Sequence, residues 1–190
     1  MTAAPNVRVL MWRESLENTP RFDLPTGYTL RWYRAGDDEQ WLRIHQLADP
    51  HTAATPELFA AQFGGDHAAL ARRQVFVMDP DGVAIATVTA WDGLFEGRRI
   101  GRIHWLAVVP EQRGRGLGRA LMSLACRRLR ELGHAEVYLV TGSVRLAAIR
   151  LYLQFGFIPV VQTDEQAAVW ALISRELPQR PRLHQARRKR

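Results

Sequence analysis

Apolar positions along the chain alternate between twofold and roughly 3.6-fold spacing, which predicts a succession of strands and helices. Thr29 to Arg34 (TLRWYR) is β-branched and aromatic enough for a first strand, and Asp37-Asp38 then opens an amphipathic helix through Trp41, Ile44 and Leu47. Thr55-Pro56-Glu57 caps a second helix, which Gly64-Gly65 breaks. Gln74 to Met78 and Val83 to Trp91 flank the turn residues Asp79-Pro80-Asp81-Gly82, the pattern of an antiparallel hairpin. A second turn at Glu96-Gly97 leads into Ile100 to Val109, apolar on nearly every residue and so a strand covered on both faces. Leu117, Leu121, Leu124, Ala125, Leu129 and Leu132 then recur at helical spacing until Gly133. Glu136 to Val140 predicts a strand and Val144 to Phe155 a helix; Phe157 to Gln162 and Ala167 to Ile173 predict two closing strands. The expected class is α+β, with a mixed, mostly antiparallel sheet of about six to seven strands flanked by about four helices.

A chain of 190 residues, 47% of them apolar, is of single-domain size and buries roughly 70% of its unfolded-state surface. The elements divide it into an N-terminal extension (1–27), a catalytic-size domain (28–176) and a basic tail (177–190). The net charge of +7 suggests nucleic acid only until it is located, because six basic residues and no acid fall in 177–190. The remainder carries +1, so a solvated, disordered tail is the simpler reading and a nucleic-acid partner is not expected. With no apolar run long enough for a membrane span and no signal-peptide pattern at the start, a soluble cytoplasmic protein is expected. Cys126, the only cysteine, offers no disulfide, and the six histidines show no ligand spacing, so no metal is expected.

Pro110-Glu111-Gln112-Arg113-Gly114-Arg115-Gly116-Leu117-Gly118 joins the most apolar strand to the leucine-periodic helix. Its three alternating glycines let backbone approach a ligand, and the helix that follows offers unpaired amides and a positive dipole end, as a pyrophosphate requires. A dinucleotide fingerprint beginning at Gly114 needs glycine where Arg119 stands, and no Gly-Lys-Ser/Thr occurs, so both common phosphate loops fail. On the loop alone, a glycine-rich turn and a phosphate site are equally good readings.

The surroundings distinguish them. Arg113-x-x-Gly116-x-Gly118 after a buried strand resembles the R/Q-x-x-G-x-G/A motif of the GNAT superfamily of N-acetyltransferases. Ala148-Ile149-Arg150-Leu151-Tyr152-x-x-x-Gly156-Phe157 resembles that superfamily's later helix, and the elements from Thr29 onward follow its usual order. One departure is Arg145, at the position where the family's motif usually has asparagine; it is free either to meet a phosphate or to face solvent.

The resemblance implies a three-layer α/β GNAT fold with acetyl-CoA as co-substrate. The backbone of Leu106, Ala107 and Val108 would pair with the pantetheine arm, and the amides of Arg113, Gly114, Arg115, Gly116, Leu117, Gly118 and Arg119 would hold the pyrophosphate. Arg145, Ala148 and Tyr152 share a helix face, on which the small Ala148 leaves room for coenzyme. Tyr152 occupies the position of the family's proton donor to the departing thiolate. An alkylammonium, with pKa ~10, must also lose a proton, and His104 is the candidate base; Asp92, Glu96 or a water chain are alternatives. His104 is placed on one strand face with Arg102, Leu106 and Val108. The expected acceptor is a primary amine of a small molecule, with a peptide or protein amine or a non-catalytic acyl-CoA-binding module as the other readings. Trp32, Tyr33, Trp91 and Phe95 are candidates for packing before they are candidates for an acceptor pocket. Homodimerisation is left open.

Overall fold

A computed structural model describes residues 6–178 and 181–185. The elements run β1 (Arg8–Arg13), β2 (Thr29–Trp32), α1 (Asp38–Ala48), α2 (Pro56–Phe63), α3 (His67–Arg73), β3 (Gln74–Met78), β4 (Ala84–Phe95) and β5 (Arg98–Val108). A single 3-10 turn (Pro110–Gln112) leads to α4 (Leu117–Glu131), β6 (Val137–Gly142), α5 (Leu146–Gln154), β7 (Ile158–Val161), α6 (Asp164–Arg175) and β8 (His184–Gln185). The mixed sheet has eight strands in the order β2-β3-β4-β5-β6-β1-β7-β8, so the expected class holds with more strands and helices than the sequence predicted.

Three assignments are corrected. The segment taken as an N-terminal extension supplies β1, which lies between β6 and β7 and pairs antiparallel with both, Leu10 opposite Val140 on one side and Val160 on the other. Val9 and Met11 are fully buried there, so an isolated run of four apolar residues finds its pairing partners near the far end of the chain. Ala167 to Ile173, predicted as a strand, lies in α6. Seven consecutive apolar residues fit either element; the Thr163 hydroxyl accepts from the Gln166 amide and Asp164 and Glu165 fill the first turn, which selects helix. The tail expected over 177–190 is only partly within the described residues, and there Leu177 is buried and His184–Gln185 pairs in parallel with β7.

What positions the site is the pairing of β5 with β6. These central parallel strands are matched only at Gly101–Val137 and Arg102–Tyr138, and beyond that point they separate. On the β4 side, Trp105 and Leu106 oppose the single Val88, a β-bulge in which Trp105 takes a φ of 50°. Such a backbone conformation is unfavourable for a bulky residue and persists where packing over-determines it. Here the Trp105 indole donates to Gln62 Oε1 at 3.2 Å and packs on Trp41 at 4.9 Å, so α2 and α1 hold the bulge in place.

Helix α4 packs on β4 and β5. The close approach of Leu129 to Gly101 puts it on the face opposite His104, whose ring meets Phe63 of α2. Among the described residues no helix is long and apolar enough to cross a membrane, and no three His, Cys, Asp or Glu side chains are grouped to hold a metal ion.

Candidate active site

The separation of β5 from β6 opens a cleft of about 910 Å³. One wall is the β5 edge from Ile103 to Val108, the other is β6 from Leu139 to Gly142, and the mouth is closed by the glycine loop and the start of α5. A strand whose neighbour has diverged keeps unpaired amides and carbonyls along that edge, a template for any extended amide-bearing ligand.

At the mouth, Gly114 and Gly116 adopt φ of 77° and 87°, which an L side chain rarely takes. Between them and the first turn of α4, the amides of Gly114, Arg115, Gly116, Leu117 and Gly118 have no acceptor among the described residues, while those of Arg113 and Arg119 are spent on Pro110 and Gly116 carbonyls. Arg113 and Arg119 therefore leave the expected set of amide donors. Their side chains are also engaged: Arg113 donates to the Val108 and Ala48 carbonyls at 3.2 and 2.7 Å, and Arg119 lies over the Phe22 ring. Arg115 donates to the Tyr28 hydroxyl at 3.3 Å. The arginines shape the loop, and its backbone presents five unpartnered donors at a helix N-terminus.

Tyr152, Ala148 and Arg145 all line the cleft from α5 and the turn before it. The Tyr152 ring packs against Phe157, and its hydroxyl has no hydrogen-bond partner among the described residues. Burial pushes this phenol up to about 12, with the Arg145 charge opposing, so it stays protonated throughout the neutral range. Arg145 reaches neither solvent alone nor a phosphate position: it pairs with Asp49 and donates to the Thr52 hydroxyl at 3.1 Å, tying the end of α1 to the start of α5 across the cleft. Burial alone would raise the Asp49 carboxyl, but hydrogen bonds from Thr52 and the His51 amide and the Arg145 charge hold it below its ordinary value.

His104 is buried in the cleft wall. Its face is corrected by the bulge: register pairs His104 with Thr89 and Ala107 with Thr87, so Ala107 and Arg102 share its face and Leu106 and Val108 point the other way. Regular alternation cannot carry a face across an inserted residue. Asp92 is held between Arg73 and Arg99, and neither it nor Glu96 lines the cleft. The four aromatics considered above pack elsewhere: Trp91 against Phe63, Phe95 against Tyr138, Tyr33 donating or accepting at His67, and Trp32 under Arg128.

His45, absent from the sequence-derived site, is a second buried histidine in the cleft wall, packed on Trp41 and Trp105 with its Nε2 unpartnered. Its place four residues after Trp41 on the apolar stripe of α1 is the only trace it leaves in the sequence. Burial pushes His45 down to about 3 and holds His104 well below its ordinary value, with Arg102 and His45 adding to the latter. In the unfolded chain both protonate near pH 6.5, and in the fold both remain neutral, so the unfolded state binds more protons below that pH. Stability is therefore complete above about pH 6.5 and falls as pH drops toward the folded values, by up to about 1.4 kcal/mol per pH unit per histidine. The midpoint of thermal unfolding is expected to fall by roughly 5–10 °C between about pH 6.5 and 5, and His104→Gln to remove about half of that slope. A midpoint flat over this interval contradicts the buried neutral pair.

Residues 28–157 match the Acetyltransferase (GNAT) family, and the chain belongs to that family. It is 33% identical over 154 residues to a mycothiol acetyltransferase of Geodermatophilus obscurus, across 73% of this chain and 47% of that protein. With the mycothiol acetyltransferase of Nocardiopsis dassonvillei it shares 36% identity over 144 residues, across 67% of this chain and 42% of the relative. The chain thus spans about half the length of the curated relatives it matches. Among solved structures, a GCN5-related N-acetyltransferase from Sphaerobacter thermophilus superposes with a TM-score of 0.65 at 22% identity, covering 82% of this chain and 49% of that one. A Mycobacterium tuberculosis protein crystallised with CoA superposes with a TM-score of 0.53 at 19% identity, covering 77% and 81% of the two chains. These superpositions establish the fold.

Proposed function

We propose that the chain is an acetyl-CoA-dependent N-acetyltransferase that moves an acetyl group to a primary amine of a small molecule by direct attack in a ternary complex. The observation that carries this is the run of five partnerless amides, Gly114 to Gly118, at the mouth of a cleft whose inner wall bears Tyr152. These donors and the α4 dipole suit a pyrophosphate, and the free β5 edge from Leu106 to Val108 suits the amide-bearing pantetheine arm. Bound there, acetyl-CoA supplies an acetyl group activated as a thioester.

The protein's part is positioning and proton handling. A thiolate leaves with a conjugate-acid pKa near ~8.5, and Tyr152, kept as a phenol by burial, donates its proton to that sulfur. His104, neutral at pH 7 and close to the bulge, accepts the proton that the amine loses on attack. In His104→Gln the acid limb of the kcat/KM profile is expected to flatten; a profile identical to wild type removes His104 from the mechanism.

A non-catalytic acyl-CoA-binding module has no use for a protonated tyrosine facing the cleft, and this favours the enzyme. The relatives named for mycothiol support a small-molecule acceptor over a peptide or protein amine. The test is thiol release from acetyl-CoA by the purified chain against amino acids, polyamines, aminoglycosides, peptides and a mycothiol-class amine. Turnover with at least one small amine is expected. Coenzyme binding with no turnover across the panel would reduce the chain to the binding module.

A further inference from the structure

Among the described residues, four arginines and one acid line the cleft, and their partners differ sharply by position. Arg113 at the mouth is spent on two backbone carbonyls, and Arg145 is paired with Asp49, the only acid in the wall. Arg102 and Arg8 remain, and among the described residues neither has a carboxylate partner. Arg102 sits where β5 and β6 part, its guanidinium 5.7 Å from the centre of the Tyr138 ring and its Nε buried with no acceptor. Burial disfavours its charge, the Tyr138 hydroxyl favours it, and the Arg8 charge disfavours it further.

Register places both arginines on one face of the sheet: Arg8 shares a face with Trp12, which pairs with Tyr138, which pairs with Arg102. His104, two residues on from Arg102, lies on that face as well. Arg102 is half-buried with a buried Nε that has no acceptor, and its charged neighbour Arg8 is also a cation, an arrangement that favours an incoming anion.

The coenzyme does not meet that need. Its phosphates belong at the glycine loop, and from Val108 back to Arg102 the β5 strand extends roughly 20 Å. An anion at Arg102 would come with the other substrate. We propose that Arg102, assisted by Arg8, forms a subsite for a carboxylate on the amine acceptor, so that the enzyme acetylates amines that are also acids. The inference rests on the N-acetyltransferase reading. Arg102 lies at the narrow end of the cleft, where its planar guanidinium fork matches the two oxygens of a carboxylate. One acceptor then spans the two residues from Arg102 to His104, roughly 7 Å of strand, with its acid at the first and its amine near the second.

The experiment compares long-chain ω-amino acids and short peptides with their C-terminal carboxamides, and with phosphomonoester amines, as acceptors for the full chain. The acids are expected to be preferred, and Arg102→Gln to cut the acid-over-amide ratio of kcat/KM by about ten- to a hundredfold while acetyl-CoA affinity, read by calorimetry, stays within about twofold. Arg8→Gln, a change at an exposed residue, is expected to lower the same ratio by less, and it stands in should Arg102→Gln unfold. Equal use of acid and amide, preference for phosphomonoesters, a ratio unmoved by both variants, or failure of every acid in the panel overturns the subsite. In each of these cases, acetyl-CoA binding with turnover of some other amine leaves the N-acetyltransferase reading standing. Loss of acetyl-CoA binding by the wild-type chain refutes that reading instead.

Discussion

Gly116→Glu is expected to abolish acetyl-CoA binding, with an affinity loss of at least about a hundredfold by calorimetry. Gly116 is the N-cap of α4 with φ of 87°, and a non-glycine residue there costs about 1–2 kcal/mol of backbone strain before any ligand is considered. An added Cβ meets only the tip of Arg119 and the ring of Pro25, each at 3.8 Å, so the fold accommodates the atom. The remaining carboxylate stands among the five amides, satisfies some of them itself, and repels a diphosphate. Gly116→Ala carries the strain without the charge and is expected to weaken binding far less. Normal affinity in the glutamate variant would remove the loop from the coenzyme site.

Tyr152→Phe is expected to lower kcat by about 10²–10⁴ with acetyl-CoA affinity nearly unchanged. Among the described residues the phenol has no hydrogen-bond partner and packs through its ring on Phe157, so phenylalanine preserves the packing. What is lost is the hydroxyl that burial keeps protonated and that is proposed to donate to the leaving thiolate. Pre-steady-state mixing separates the effects: the step that releases thiol slows, and the binding phase does not. Equal losses in kcat and affinity would make Tyr152 a packing residue only.

The strand, glycine loop and helix proposed to hold the coenzyme were legible because they are local. Strand, glycine loop and helix are consecutive from Ile100 to Leu132, and a loop of alternating glycines ahead of a leucine-periodic helix leaves few arrangements of the backbone. The Thr55 cap, the Asp79–Gly82 turn and the strand Gln74–Met78 were legible for the same reason. What failed was nonlocal. Strand β1 depends on partners such as Tyr138 opposite Trp12, which no window around residues 8–13 contains. The bulge at Trp105 involves no glycine, and it reverses the faces of Leu106 and Val108 relative to His104, so an alternation argument was bound to misplace them. His45 and the missing acid at Arg102 are properties of assembled walls, since a solvated face and a cleft wall leave the same mark in sequence.

The central claim is that acetyl-CoA enters between the parted strands β5 and β6 with its phosphates on the amides of Gly114 to Gly118. Another groove, lined by residues 16–24 and the outer side of α4, is about as large at about 920 Å³ and carries Arg21, Arg127 and Arg130, so basicity and volume alone do not choose between them. Hydrogen–deuterium exchange of the full chain with and without CoA does. Protection confined to the loop at 114–118, to 106–108 on β5 and to the start of α5 is the predicted result; protection along residues 16–24 with an unchanged loop would contradict it.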